Sequence, residues 1–219
     1  MSTFDPHPRV AGSAGRSNLR LISPAATAAE RAGGTRPFRS SAVGATFRRG
    51  GRVFDIRPIR PEDADLIVAA AAYTSDETYY RRFHTAKRSF STKELAYLTN
   101  VDGRTHVALV AIERGASPRL AAVARFCGAH ENSREAEFAI CVHDPFRRCG
   151  LGAELLRRLC VEATALGITR FRAMIQSDNV AMHALLHHVF PDARIDDRCG
   201  NEIEYVMSAR PAQPLPSAA

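Results

Sequence analysis

The order strand, two-glycine loop, helix over residues 136–166 limits the folds open to this chain more than any other pattern. Residues 136–142 are mostly apolar and β-prone, and leucines from residue 151 onward recur at helical spacing. Between them lies Arg147-Arg-Cys-Gly150-Leu-Gly152, whose glycines lack Cβ atoms where the chain turns. Outward backbone N–H groups and an open helix start favour an anion such as a pyrophosphate. A tight turn without a ligand is the alternative that two glycines leave open.

The surrounding patterns add strands and helices on both sides of this unit. Upstream, the sequence predicts a strand at 52–57, helices over 61–73 and within 76–99, and a hairpin of strands 105–112 and 120–126. Downstream, it predicts a strand at 169–175, a helix at 179–189, and short strands at 193–195 and 203–207. This order predicts an α/β (α+β) domain, in which a mixed sheet carries helices on its faces.

Charge divides the chain into a basic extension and a nearly neutral remainder. Of the net charge of +7, residues 1–50 carry +6 and the rest of the chain carries +1. The first 50 residues are rich in Gly, Ser, Ala and Arg without an apolar period, which predicts a disordered extension. The predicted domain then covers 51–209, and 210–219 is a Pro/Ala-rich tail. Three roles stay open for the extension: a solvated linker, contact with nucleic acid or an acidic partner, and an organellar transit segment.

Apolar stretches and cysteines indicate the class of protein. The longest uninterrupted apolar stretch, 66–73, is far shorter than the roughly 20 residues that span a bilayer. Residues 1–15 lack the hydrophobic region of a secretory signal. The five cysteines form no C-x-x-C pair, which argues against a disulfide framework or a cysteine zinc site. We therefore expect a cytoplasmic protein with no membrane partner.

Two further side-chain patterns do not predict a site. His183 and His187 have a spacing that can hold a metal, but no third ligand is recognisable, so we predict no metal. Cys149 lies in the glycine loop without an evident histidine partner. It is therefore expected to be a small loop residue and not a nucleophile.

Three motifs in order resemble those of the Gcn5-related N-acetyltransferases (GNAT). Arg147-x-x-Gly150-x-Gly152 resembles the loop that binds the acetyl-CoA pyrophosphate in that family. Residues 56–63 are similar to its opening strand and helix. Gln176-Ser-Asp-Asn179 is similar to the segment whose Asn lies near the pantetheine arm. The resemblance covers about residues 52–208 and implies a mixed, mostly antiparallel central sheet flanked by helices.

A narrower resemblance concerns the bacterial Pat-type protein lysine acetyltransferases. Residues 75–83 and the strand Ala136-Glu-Phe-Ala-Ile are similar to segments of their acetyltransferase domain. In that subfamily the Glu of this strand is taken as the general base, and the corresponding residue here is Glu137. The resemblance implies acetyl-CoA as cosubstrate and a primary amine as acceptor, with a protein lysine as one candidate. It leaves a monomer and a homodimer open.

The cofactor contacts that the resemblance implies come from the strand, the loop and the next two helix starts. They are Ile140, Cys141, Val142, Arg147, Arg148, Cys149, Gly150, Leu151, Gly152, Ala153 and Asn179. A strand N–H near Ile140 is expected to polarise the thioester carbonyl. Burial of Glu137 in an otherwise apolar strand would raise its pKa toward neutrality. A solvent-facing carboxylate is the alternative for Glu137, which shares a strand face with Ala139 and Cys141.

One departure from the family keeps other functions open. Many GNAT enzymes carry a tyrosine general acid where this chain has Leu186, so no acid is assigned and the thiolate is expected to leave unaided. A catalytically weak acyl-CoA-sensing module and a small-molecule amine acetyltransferase are the alternatives within this fold. An adaptor that acts through its basic extension is the alternative outside it.

Overall fold

The computed structural model describes residues 45–83 and 89–210 of the chain. Its strands are β1 (Ala45–Arg49), β2 (Arg52–Pro58), β3 (His106–Glu113), β4 (Arg119–Gly128), β5 (Glu135–Val142), β6 (Arg170–Gln176), β7 (Arg194–Cys199) and β8 (Glu202–Ser208). Its α-helices are α1 (Ala64–Ala70), α2 (Asp76–Phe83), α3 (Thr92–Thr99), α4 (Leu151–Ala165) and α5 (Val180–Val189). Short 3₁₀ turns flank α1 and precede the glycine loop.

The strands form one mixed sheet in the order β1-β2-β3-β4-β5-β6-β8-β7. Neighbouring strands are antiparallel except β5 and β6, which are parallel. A parallel pair needs a long crossover, and α4 provides it between β5 and β6. The expected mixed, mostly antiparallel sheet flanked by helices is therefore confirmed.

Apolar side chains cover both faces of the sheet. On one face Leu155, Leu156 and Leu159 of α4 are fully buried in a core that includes Phe138 and Phe171. On the other face, α1 and α3 pack a smaller apolar cluster against β3 and β4. Helical spacing of leucines thus predicted α4 correctly, because one stripe of that helix is buried. Among the described helices, none is both long and apolar enough to cross a membrane.

The sheet begins upstream of the domain boundary expected at residue 51. β1 pairs with β2 from Ala45 onward, and the ring of Phe47 lies 6.1 Å from that of Phe54. Pairing and this aromatic contact stabilise β1, although its polar, arginine-rich sequence does not predict a strand. Residues 1–44 and 211–219 lie outside the described ranges, so the predictions for the extension and for most of the tail remain predictions.

Candidate active site

β5 and β6 pair over a short distance and then separate. The ladder ends at the pair Glu137 and Arg172, although β5 continues to Val142 and β6 continues to Gln176. Beyond Glu137 the two strands therefore leave an opening in the sheet. This opening points toward the glycine loop, because that loop follows the end of β5.

Backbone polar groups of β5 line this opening. The His143 N–H donates to the Ala121 carbonyl across the β4 side at 3.0 Å. Backbone groups alternate in direction along a strand, so those of Ile140 and Val142 point away from β4 and into the opening. Two of the three expected strand contacts, Ile140 and Val142, thus present N–H and C=O groups there. The backbone groups of Cys141 instead point toward β4. Its side chain is buried on the face of the sheet that α1 and α3 cover.

The glycine loop adds a cluster of free N–H groups at the end of β5. Arg148 has φ +59° and Gly150 has φ +81°, so the chain turns through the left-handed region twice. The first hydrogen bond of α4 runs from the Glu154 N–H to the Gly150 carbonyl at 3.1 Å. The N–H groups of residues 151–153 therefore have no partner within the helix, and no described side chain caps this end. Such a turn and helix start bind phosphate groups.

The Arg147 side chain ties the loop to the start of α2. Its guanidinium lies 3.2 Å from an Asp144 carboxylate oxygen and donates to the Thr78 hydroxyl. Asp144 in turn accepts the Ser75 N–H at 2.8 Å. Arg147 therefore positions the loop, and both Arg147 and Arg148 are exposed to solvent.

Two other loop residues have packing roles. A Cβ at Gly152 would lie 3.2 Å from a Leu185 methyl and 3.4 Å from a Val142 methyl, so this glycine lets α4 approach β5 and α5 closely. The Cys149 thiol donates to the Phe146 carbonyl at 3.0 Å. This bond holds the thiol within the turn, as expected of a small loop residue.

Asn179 precedes the first residue of α5, and Leu186 lies within that helix. The Asn179 side-chain oxygen accepts the Met182 N–H at 3.2 Å and caps the helix. The amide NH₂ of Asn179 is then the part suited to donate to a bound group. Leu186 is fully buried in the core, so this position offers no proton donor.

Glu137 is half-buried and lies beside the opening. Burial raises its pKa to about 7, the negative charge of Glu204 acts in the same direction, and the positive charge of Arg82 opposes them. Arg172 of β6 pairs with Glu137 through the backbone, but its side chain binds Glu135 instead. The Arg172 Nε lies 2.6 Å from a Glu135 carboxylate oxygen. A carboxyl group with a pKa near neutrality suits a general base better than a solvated surface group does.

His183 is engaged in hydrogen bonds through both ring nitrogens. Its Nε2 lies 3.1 Å from the Gln176 carbonyl, and its Nδ1 lies 3.1 Å from the Tyr205 hydroxyl. The described residues contain no group of three or more His, Cys, Asp or Glu that could hold a metal. The rings of His183 and His187 both pack against Tyr205 of β8.

A cavity of about 30 Å³ lies on the same side of β4 and β5 as Glu137. Apolar side chains from α1, α2 and α3 form much of its wall, and its polar lining residues include Arg82, Arg125 and His143. Sequence reasoning missed these three residues. An arginine in the middle of the apolar strand β4 was the available signal, because a buried charge needs a reason.

Comparisons with known proteins agree with this geometry. The family model described as an acetyltransferase (GNAT) domain matches residues 54–189. Acetyltransferase Pat of Mycolicibacterium smegmatis is 34% identical over 138 residues, which cover 63% of this chain and 41% of that protein. The crystal structure of the GNAT domain of S. lividans PAT superposes with a TM-score of 0.67 at 25% identity, over 75% of this chain and 96% of that one.

A second solved structure shows that this chain matches only part of a longer protein. The cAMP-binding acyltransferase from Mycobacterium smegmatis has a TM-score of 0.55 at 27% identity, over 80% of this chain and 49% of that one. The chain thus spans less than half the length of these two mycobacterial proteins. Its similarity to them concerns the part that holds the sheet and the glycine loop.

Proposed function

Because this chain belongs to the GNAT acetyltransferase family, we propose that it transfers an acetyl group from acetyl-CoA to a primary amine. The observation that carries the proposal is the opening between β5 and β6, which runs into the glycine loop. Amide groups of Ile140 and Val142 suit the peptide-like pantetheine arm. The free N–H groups of residues 151–153 suit the pyrophosphate.

Glu137 is the proposed general base. An alkylammonium with a pKa of about 10.4 is almost wholly protonated at neutral pH and cannot attack a thioester. A carboxylate with a pKa of about 7 is substantially ionised at neutral pH and can take this proton, directly or through a water. The neutral nitrogen then attacks the thioester carbon, and the carbonyl electrons move onto oxygen.

The backbone of β5 stabilises the charge that develops on that oxygen. In our proposal the N–H of Ile140 donates to the oxyanion, since it points into the opening and is held by the sheet. Collapse of the intermediate breaks the C–S bond and releases the thiolate, which can take up, through solvent, the second proton that the nitrogen loses as the amide forms. A thiol pKa of about 8.5 makes this group able to leave without a protein acid, which fits the apolar Leu186.

A protein lysine is the acceptor that we propose first. The support is the likeness of the strand that carries Glu137 to that of Pat-type enzymes, together with the 34% identity to a protein named Acetyltransferase Pat. A small-molecule amine is the second candidate acceptor. A sensing module with weak catalysis is favoured only by the missing acid at Leu186.

Isotope-labelled acetyl-CoA, offered with a proteome extract and separately with an amine panel, tests these functions. Label in protein supports the lysine acceptor, and label only in a small amine supports the second candidate. Saturable acetyl-CoA binding with no label in either fraction would contradict the enzyme and support the sensor. Loss of both binding and transfer would contradict the whole proposal.

A further inference from the structure

The cavity beside the transfer site has no role in the mechanism above. Arg125 is 3% exposed and His143 is 8% exposed, and both line the cavity together with Arg82. Arg125 lies in β4 opposite Ala139 of β5, two residues from Glu137 on the same face. The cavity therefore adjoins the face of the sheet that holds the proposed base.

The cavity wall carries the positive charges of Arg82 and Arg125, and the Glu137 carboxylate acts electrostatically on Arg82. The Arg125 guanidinium contacts neutral groups, the His106 Nε2 at 3.2 Å and the Leu98 carbonyl at 3.3 Å. Burial and the charge of Arg82 lower the pKa of Arg125 to about 10, so it is still a cation at neutral pH. The sequence of residues 84–88, which follows α2, contains no acidic residue. Among the described residues no carboxylate pairs with Arg125, and a buried cation without a paired counter-charge is costly, so an anion would stabilise this region.

Two buried polar atoms of the lining residues have no partner among the described residues: Nε of Arg125 and Nε2 of His143. The Thr74 hydroxyl donates to the Ala70 carbonyl at 2.5 Å, so its oxygen accepts from His143 Nδ1 at 2.7 Å. This fixes the tautomer, and Nε2 is the nitrogen that can still accept a proton. Burial lowers the pKa of His143 to about 4, so at neutral pH its Nε2 is an acceptor, and the guanidinium N–H is the donor that a carboxylate oxygen would meet.

We propose that this cavity is a carboxylate-binding subsite of the transfer site, an inference that rests on the proposed acetyl transfer. Its volume of about 30 Å³ accommodates two water-sized oxygens. A planar carboxylate has that size and pairs well with guanidinium groups. Cys141, which lies between Ile140 and Val142 on β5, also lines the cavity. The cavity is therefore next to the strand where the acyl group and the amine are expected to meet.

The carboxylate can come from either reaction partner. An acceptor that carries an acid group near its amine would place that acid in the cavity. A dicarboxylic acyl group on CoA would place its distal acid there instead. The binding chemistry is the same in both cases, and the two sources are separated by experiment.

Formate is a direct probe of the subsite, because it is the smallest carboxylate. Saturation transfer from the full chain to the formate proton is measured by NMR, with the melting temperature followed at constant ionic strength. We expect saturable transfer and a rise in melting temperature that chloride does not reproduce, and we expect Arg82→Met to abolish both. Equal responses of wild type and Arg82→Met, or equal effects of formate and chloride, would overturn the proposal.

Two further variants keep this test decisive. Arg125→Met removes the fully buried guanidinium, and if that variant does not fold, Arg82→Met alone carries the comparison. Arg114→Met is the matched control, since Arg114 is 53% exposed, pairs with Asp55 and, like Asp55, does not line the cavity. Its formate response should equal that of wild type, and a loss there would assign the response to general surface charge.

Substrate pairs that differ only in an acid group identify the source. The acceptor arm compares an amino acid with its amide, using acetyl-CoA as donor. The donor arm compares malonyl-CoA with acetyl-CoA, using one amine. We expect kcat/KM to favour the acid-bearing member of one arm by about tenfold to a hundredfold, and Arg82→Met to remove the preference.

The results separate this inference from the proposed function. Formate binding without any acyl transfer would contradict the enzyme and leave the subsite standing. Acyl transfer that ignores the acid group in both arms, in wild type and Arg82→Met alike, would contradict the subsite and leave the enzyme standing.

Discussion

Glu137 and Arg125 lie on the same face of neighbouring strands, and each holds a charge in surroundings that oppose it. Burial raises the pKa of Glu137, and burial lowers the pKa of Arg125. Such groups cost folding free energy, and perturbed pKa values cluster at functional sites. We therefore expect both residues to favour function over stability.

Glu137→Gln should stabilise the protein at alkaline pH. The folded pKa of about 7 exceeds the ordinary value of 4.5, so the native state keeps a proton that the unfolded chain loses. The stability contributed by Glu137 is therefore lost as pH rises from 4.5 to 7. Gln resembles the protonated acid, so the variant should gain about 1–2 kcal/mol at pH 8 and little at pH 4.

Urea unfolding at the two pH values measures this difference. Glu131→Gln is the control, because Glu131 is a 65% exposed carboxylate in a surface ion pair with Arg104. It should change stability by only a few tenths of a kcal/mol at either pH. A Glu137→Gln variant that is less stable than wild type at pH 8 would contradict the raised pKa of Glu137, because the charged carboxylate would then not destabilise the folded protein.

At the scale of elements, the loop between β5 and α4 depends on left-handed backbone. Gly150→Ala forces a side chain into φ +81°, which costs about 1–2 kcal/mol and distorts the proposed pyrophosphate site. We expect acetyl-CoA affinity, measured by calorimetry, to fall about tenfold.

Gly167→Ala is the matched control for this loop variant. Gly167 has φ +83°, follows the far end of α4, and has open space where a Cβ would stand. It should lose similar stability with unchanged acetyl-CoA affinity. If both alanine variants weaken binding equally, the loss reflects global stability and not the loop.

Elements with a buried stripe or a local signal were predictable from sequence. Ser91 and Glu94 form the capping box expected at the start of α3, with the Glu94 N–H 3.3 Å from the Ser91 hydroxyl. β1 lay in the segment assigned to the extension, and β7 was predicted as only residues 193–195. Every residue of β7 is exposed, so this edge strand has no apolar alternation to read.

At the scale of the whole molecule, β1 links the end of the basic extension to the glycine loop. A Cβ at Gly150 would lie 3.9 Å from the Phe47 ring. Deleting residues 1–50 removes β1, whereas deleting residues 1–44 retains it. We expect the longer deletion to be less stable by about 1–3 kcal/mol and to bind acetyl-CoA more weakly.

Thermal unfolding and acetyl-CoA titration of the two deletions check this role of β1. Equal stability and affinity would mean that the Phe47 contacts contribute nothing. Any partner that binds the full chain but neither deletion would instead assign a role to residues 1–44.

The candidate site was predictable only in part, because some of its residues are close together in the sequence and others come from separate elements. The glycine loop and Glu137 lie within a short stretch of sequence, and a resemblance sufficed to find them. The cavity joins Arg82 of α2, Arg125 of β4 and His143 after β5. These residues are brought together only by the pairing of β4 with β5 and the packing of α2. No local sequence pattern therefore predicts the cavity.

The most direct test of the account is the pH dependence of acetyl transfer in wild type and Glu137→Gln, with acetyl-CoA affinity measured in parallel. A base must be deprotonated, so the wild-type rate should rise with pH and level off above about 7. Glu137→Gln should lower kcat by about 10²- to 10⁴-fold, lose that inflection and keep its acetyl-CoA affinity. An unchanged rate and profile in Glu137→Gln would contradict the account.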